Sequence, residues 1–383
     1  MSSKLKRHAF TVVTESILRA SYGDSALEIF ENSPLLGYLN HKTASATRGS
    51  KSRGSFANHF ALYVLIEDYL KRGFGPGGRK SGKYANFAGA RFSDLLARQR
   101  ELPFGQKLQN HALNARLNDE FRKFYPSIEI QPIVRDVEAQ RYWIQEDLLK
   151  VELRSNTGKR KTINFASAVI EIIEAYIAAK REAFESFIES CSKMSAVDAL
   201  DTSSVVEFVR SQLSPEIDAR VFEIVSFAIL KASYCNQVIY WGWSRTDLCE
   251  ERLELFRTGR TNANDGGIDF VMRPLGRFFQ VTETIDVRKY FLDIDKIQRF
   301  PLTFVVKSLE EPEMIRKGIE EHARIRYRIN SVVQSYMDAI DEIINIPMLL
   351  QNLQSVIESG RITDVMQEII LQSKVEFNYN EMD

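Results

Sequence analysis

Cysteine is scarce in this chain, with Cys191, Cys235 and Cys249 the only three among 383 residues. No CxxC and no pair of histidines at ligand spacing accompanies them, which excludes a disulfide framework and a zinc site. The five histidines, His8, His41, His59, His111 and His322, lie far apart in the sequence. With no nucleophile elbow beside any of them, a triad hydrolase is excluded. The run GFGPGG lacks the GK[ST] ending of a phosphate loop, and no dinucleotide-binding glycine pattern follows a strand, so no nucleotide cofactor is expected. Long hydrophobic runs are missing as well. HFALYVLI ends at Glu67 and the 223–243 stretch is broken by Lys231, well short of the ~20 residues a membrane helix needs. The basic start MSSKLKRHAFTVV meets Glu15 before a signal-peptide core can form. These absences predict a soluble cytoplasmic protein with no membrane partner.

What is present is a composition suited to packed domains: 44% apolar, 11% aromatic and 27% charged. Net charge is zero, from 51 basic and 51 acidic residues, but the balance is uneven along the chain. Residues 1–130 hold 20 Lys and Arg against 11 Asp and Glu, a sum of +9, so residues 131–383 sum to −9. A basic lobe on a neutral chain suits a polyanion read by one part of the molecule. It equally suits a solvated face compensated by an acidic second half.

Helical spacing covers the first forty residues, with Ser33-Pro34 as a cap and first-turn proline. HKTASATRGSKSRGS is a basic stretch of small residues, and FANHFALYVLIEDYL is apolar around most of its circumference, which predicts a buried helix. KRGFGPGGRKSGKY then places five glycines and five cations in fourteen residues. Such a segment must be a loop, and glycine lets backbone N–H groups approach phosphates while cations neutralise them. Arg48, Lys51, Arg53, Arg79, Lys80 and Lys83 are the candidate DNA contacts; an ordinary surface loop is the competing account. Residues 126–165 read as β-rich, with a hairpin turning at Asn156–Gly158, and 166–192 as a long helix. SKMSAVDALDTSS reads as a linker. Ser214-Pro215-Glu216 opens a helix to Tyr234. From residue 311 onward Ile315, Ile319, Ile329, Val332, Val333, Tyr336, Met337, Ile340, Ile343 and Ile344 mark a helical stripe. The expected segmentation is 1–125, 126–213, 214–310 and 311–383, in an α+β fold that is mostly helical.

The chemistry concentrates in residues 244–308. A helix is predicted over LCEERLELF, capped by Ser244 or Thr246 and ended by Gly259. The strands GGIDFVM and RFFQVTE flank Arg273-Pro274-Leu275-Gly276, whose Pro and Gly suit a type I turn. A helix over DVRKYFLDIDKIQ and a strand PLTFVVKS follow. Asp269 interrupts an apolar strand, where a carboxylate is costly unless paired or metal-bound. A two-residue loop puts Asp269 opposite Gln280, and two oxygen-bearing side chains about 5 Å apart at Cβ can hold a cation such as Mg²⁺. Thr282 then follows on the same face. A three-residue loop with a bulge at Gly276 instead gives Asp269 the face of Val281 and Glu283.

This arrangement resembles the catalytic core of the PD-(D/E)xK nucleases, and specifically type II restriction endonucleases. Their pattern has an Asp on one strand, E-x-K on the next, and an acid on the preceding helix. Asp269 matches the first, and Gln280-Val281-Thr282 occupies the E-x-K position with Gln for Glu and Thr for Lys. Glu251, bordering the stripe of Leu248, Leu255 and Phe256, is the candidate helix acid. Lys289, or Arg288 beside it, is the candidate replacement for the lysine. The resemblance covers about 65 residues and implies a small mixed-sheet nuclease core flanked by helices. It further implies an Mg²⁺-dependent, sequence-specific endonuclease on double-stranded DNA, leaving 5′-phosphates, in a restriction-modification system that defends against phage. Symmetric cleavage of a duplex favours a C2 homodimer. Two other accounts fit the same residues: a DNA-binding protein with a degenerate core, and a nuclease specific for modified DNA.

Overall fold

The computed structural model describes residues 6–44, 46, 52–80, 82–106, 108–154, 160–196, 202–258, 268–283 and 287–377. The fold is α+β, about 59% helix with several small sheets. Residues 1–186 and 187–383 form two compact units.

The first unit opens with α1 (Ala9–Tyr22), α2 (Ala26–Asn32), α3 (Pro34–Thr43) and α4 (Ser52–Lys71). Ser33 caps α3 as expected, its hydroxyl accepting from the Leu36 N–H at 3.2 Å. Helix α4 is buried around most of its circumference, Phe60 through Ile66 included, as its sequence predicts. After a glycine-rich loop come β1 (Ala90–Arg91), α5 (Phe92–Glu101), α6 (Leu117–Phe124), β2 (Ile133–Asp136) and β3 (Arg141–Ile144). Strands β1, β3 and β2 make one small sheet. Strands β4 (Lys150–Arg154) and β5 (Arg160–Asn164) pair antiparallel, Arg154 with Arg160, as the expected hairpin. Its turn at Asn156–Gly158 lies outside the described residues. The boundary between the units falls inside α7 (Ala166–Ala196).

One buried carboxylate ties the glycine-rich loop to this unit. Glu146 accepts from the Tyr69 hydroxyl at 2.9 Å, from the Tyr84 backbone N–H at 3.3 Å and from Lys150 at 2.8 Å. Asn164 on β5 in turn donates to the Tyr69 oxygen at 2.8 Å. The Tyr84 hydroxyl donates to Asp68 on α4. Burial pushes the Glu146 carboxyl up, but the Lys150, Tyr69 and Tyr84 bonds outweigh it and hold the group below the usual glutamate range.

The second unit contains α8 (Thr202–Ser211), α9 (Ala219–Tyr234), β6 (Val238–Trp241), β7 (Cys249–Arg252), β8 (Glu254–Arg257), β9 (Phe270–Arg273) and β10 (Arg277–Thr282). It continues with α10 (Val287–Lys296), β11 (Leu302–Val306), α11 (Pro312–Tyr327), α12 (Asn330–Asp338), β12 (Ile340–Ile344), α13 (Ile346–Glu358) and α14 (Ile362–Phe377). Five strands form its main sheet in the order β12-β11-β10-β9-β8; β10 runs parallel to β11 and antiparallel to β9. Strand alternation divides the side chains between two cores. Phe279, Val281 and Val305 pack with α9, α13 and α14, whereas Phe278, Phe304 and Val306 pack with α10, α11 and α12.

Three expectations are corrected. The helix predicted over LCEERLELF is two strands, β7 and β8, because Leu253 and Leu255 are buried while Glu254 and Phe256 are exposed, a period of two. The helical stripe of the C-terminal region stops at Met337. Ile340, Ile343 and Ile344 belong to β12, which pairs with β11 along the sheet edge. Helix α9 begins at Ala219 and is capped by Asp218, whose carboxylate accepts from the Arg220 N–H at 2.7 Å, in place of the predicted Ser214 cap. In the turn after Arg273, Gly276 sits at φ 67° with its N–H donating to the Met272 carbonyl at 2.9 Å.

The Glu146 network makes stability acid-sensitive. A carboxyl with a depressed native pKa contributes stability above its ordinary value, here 4.5, and loses it as pH falls through the lower native value. Glu67 and Glu120 are depressed in the same direction. Glu146→Gln should cost about 1–3 kcal/mol at neutral pH and reduce the loss of stability below pH 4.5, both measured by urea unfolding. An unchanged acid slope would separate Glu146 from the stability of this unit.

Candidate functional site

The β9–β10 hairpin positions the acid. Its rungs pair Met272 with Arg277, Val271 with Phe278 and Phe270 with Phe279, which is the register of the shorter loop rather than the slipped one. Asp269 lies just beyond the last rung. Its N–H donates to the Phe279 carbonyl at 2.9 Å, and its carboxylate accepts from the Val281 N–H at 2.7 Å. The acid is thereby pinned at the level of Gln280, bracketing that residue along β10.

Gln280 is 7% exposed. Its Nε2 donates to the Val281 carbonyl at 3.1 Å, whereas its Oε1 has no hydrogen-bond partner among the described residues. A buried amide oxygen left without a donor costs stability unless something else satisfies it. Two further buried groups on the α10 face share this condition: the Tyr290 hydroxyl and Asp293 Oδ2. The Tyr290 ring packs on Phe304 at 4.5 Å between centroids, and Phe304 is the β11 neighbour of Gln280. Burial pushes the Tyr290 hydroxyl pKa up, so it stays a neutral donor.

The remaining expected residues are distributed as follows. Thr282 is 2% exposed, and its carbonyl accepts from the Lys307 N–H at 2.9 Å. Glu283 accepts from Lys307 Nζ at 2.9 Å, and the same ammonium donates to the Ile217 carbonyl at 2.7 Å. Glu251 is not on a helix; it lies in β7, accepting from Trp241 Nε1 at 2.7 Å and pairing with Arg273 at 3.4 Å. Arg273 is four residues, roughly 13 Å, along the strand from Asp269, so Glu251 is tied to the turn end of the hairpin. Lys289 and Arg288 fall in the first turn of α10, but their side chains lie outside the described residues. Sequence reasoning missed Lys307, whose sign was a lysine closing an apolar strand. It missed Tyr290 and Asp293 because their helix looks ordinarily amphipathic.

An oxygen set of this kind fits Mg²⁺, which takes one or two protein oxygens and completes its shell with water and phosphate. Asp269 supplies a carboxylate and Gln280 an unsatisfied amide oxygen. Among the described residues, no group of three His, Cys, Asp or Glu could hold a metal.

The basic loop is built on aromatic anchors. Phe74 and Tyr84 are buried, and Lys80 lies over the Phe74 and Phe87 rings at 5.7 and 5.2 Å. Gly78 is required where it stands, since a Cβ there would collide with the Gly73 carbonyl. Arg79, Lys80 and Lys83 are exposed from this frame. Arg48 and Lys51 lie outside the described residues, as does the side chain of Arg53. Among the described residues, no helix is long and apolar enough to cross a membrane.

No protein-family model, curated protein or solved structure matches this chain.

The orphaned amide oxygen separates a structural from a metal-binding role. Gln280→Met keeps the volume and removes an unsatisfied polar atom, so its melting temperature should equal or exceed the parent's. Added Mg²⁺ should raise the parent's melting temperature by linkage and leave Gln280→Met and Asp269→Asn unmoved. An equal Mg²⁺ response in all three would place the ion elsewhere.

Proposed function

We propose that this protein is an Mg²⁺-dependent endonuclease of the type II restriction kind, hydrolysing phosphodiester bonds of double-stranded DNA in the cytoplasm as a homodimer. The observation that carries the reading is Asp269 pinned beside Gln280 on a hairpin whose second strand runs parallel to β11 after an intervening helix. Strand, turn, strand, helix and parallel strand follow one another in this order, whereas the strands β7 and β8 stand where the resemblance has an acid-bearing helix. The exposed cations Arg79, Lys80 and Lys83 add phosphate contacts from the first unit.

Asp269 and Gln280 would hold the metal. When bound, Mg²⁺ neutralises charge on the scissile phosphate and eases deprotonation of the attacking water. Asp269 fixes the reacting end of the hairpin through its two backbone bonds, and β10, buried on both faces, keeps Gln280 from moving away. Thr282 carries no charge, so a cation for the developing phosphate charge has to come from another residue, and Lys289 on α10 is the candidate. Lys307 is engaged with Glu283 and the Ile217 carbonyl and serves to lock the ends of β10 and β11.

A second reading is favoured by Thr282. Buried and uncharged in the lysine position, it suits a DNA-binding protein whose core does not cut. Single-turnover assays on saturating DNA distinguish the two. Asp269→Ala should abolish cleavage with DNA affinity retained, and Lys289→Ala should slow it about 10²-fold. A parent that shifts DNA but leaves it intact would establish the second reading.

The loop cations make a separate prediction. Replacing Arg79, Lys80 and Lys83 with Ala should flatten the plot of log affinity against log salt by about 2–3 units of slope. An unchanged slope would remove this loop from the DNA interface.

A further inference from the structure

The ribbon β6–β7 is exposed along nearly all its length. Tyr240 is 65% exposed, Leu248 54%, Trp241 44%, and Trp243 at the tip 93%. An exposed run of large apolar side chains marks an interaction site, and a two-stranded ribbon alone is marginally stable in water. Among the described strands β6 is paired on one edge only, with β7. Its other edge reads Val238-Ile239-Tyr240-Trp241, without a charge or a proline. Those are the devices that keep edge strands from pairing with other chains.

Charge selects the occupant. Residues 238–252 carry Arg245 and Arg252 against Asp247, Glu250 and Glu251, two minus three, or −1. That balance does not suit a polyanion. Pairing through β7 would set Glu250 and Glu251 against their own copies, whereas β6 brings no charges together. Ion pairing from Glu251 to Arg273 also fastens the ribbon to the β9–β10 turn, where exposed Leu275 extends the apolar surface.

We infer that β6 pairs antiparallel with β6 of a second copy about a two-fold axis, joining two ribbons into a four-stranded sheet. In this arrangement Ile239 lies opposite Ile239, and Val238 opposite Tyr240, of the other copy, since a two-fold axis can only pair positions that share a face. Aromatic and β-branched residues make favourable cross-strand neighbours, and the contact is self-complementary as a two-fold interface must be. The inference deepens the two-copy part of the proposed function, but its test uses no DNA cleavage.

Sedimentation velocity of the full chain, free of DNA, should give a dimer. Val238→Lys and Tyr240→Lys should each weaken it tenfold or more in Kd, with the melting temperature of the monomer, measured at concentrations below Kd, unchanged because both side chains are exposed. A monomer at every soluble concentration overturns the interface, as does a dimer whose Kd neither lysine moves. A monomer whose DNA affinity falls with Trp243→Ala would assign the ribbon to nucleic acid and overturn it too. A dimer that cuts no DNA keeps the interface while removing the nuclease reading.

Discussion

Strand β10 is confined on four sides. It has β9 along one edge and β11 along the other, one helical layer on the face of Phe279 and Val281, and a second on the face of Phe278. The site depends on this confinement. A side chain on such a strand cannot turn toward solvent to satisfy itself, so Gln280 keeps a buried oxygen without a donor. Asp269, one step past the end of β9, is held by the same strand through Phe279 and Val281. The cost of an unsatisfied amide oxygen, about 1–3 kcal/mol, is what a bound cation would offset.

The same confinement explains the neighbouring ion pair. Lys307 is 6% exposed, and a buried ammonium is tolerable only when its hydrogen bonds are filled. Glu283 and the Ile217 carbonyl fill them. The carboxylate that the alternative hairpin register offered as a metal ligand is thereby committed to holding the strand ends together. In the first unit, Glu146 plays a comparable part for the basic loop, binding Tyr69, Tyr84 and Lys150 so that the cations between Phe74 and Tyr84 stand on a fixed base.

Much of this was legible from residues alone. Helix α4 announced itself by apolar residues on every side, α3 by Ser33-Pro34, and the β9–β10 hairpin by two apolar strands around Pro and Gly. Counting outward from that turn left two rung patterns open, and the structure has the one that aligns Asp269 with Gln280. LCEERLELF misled because Leu248, Leu255 and Phe256 fit a helical stripe, while the alternation of Leu253 and Leu255 was too short to outweigh it. The β12 isoleucines misled for a related reason: spacings of three and four residues occur by chance in a short apolar strand. Strand β7 of the ribbon was hidden inside that misread helix, and with it the true surroundings of Glu251. The engagement of Lys307 depends on residues distant in sequence, which local patterns do not report.

The central claim is that this hairpin and its parallel strand cut DNA. The direct test is to incubate the protein with unmodified plasmid and with modified phage DNA, with and without Mg²⁺, and to map the ends of any products. The account predicts discrete fragments with 5′-phosphate ends that require Mg²⁺. Both DNAs remaining intact, while bound and retarded by the protein, would contradict it.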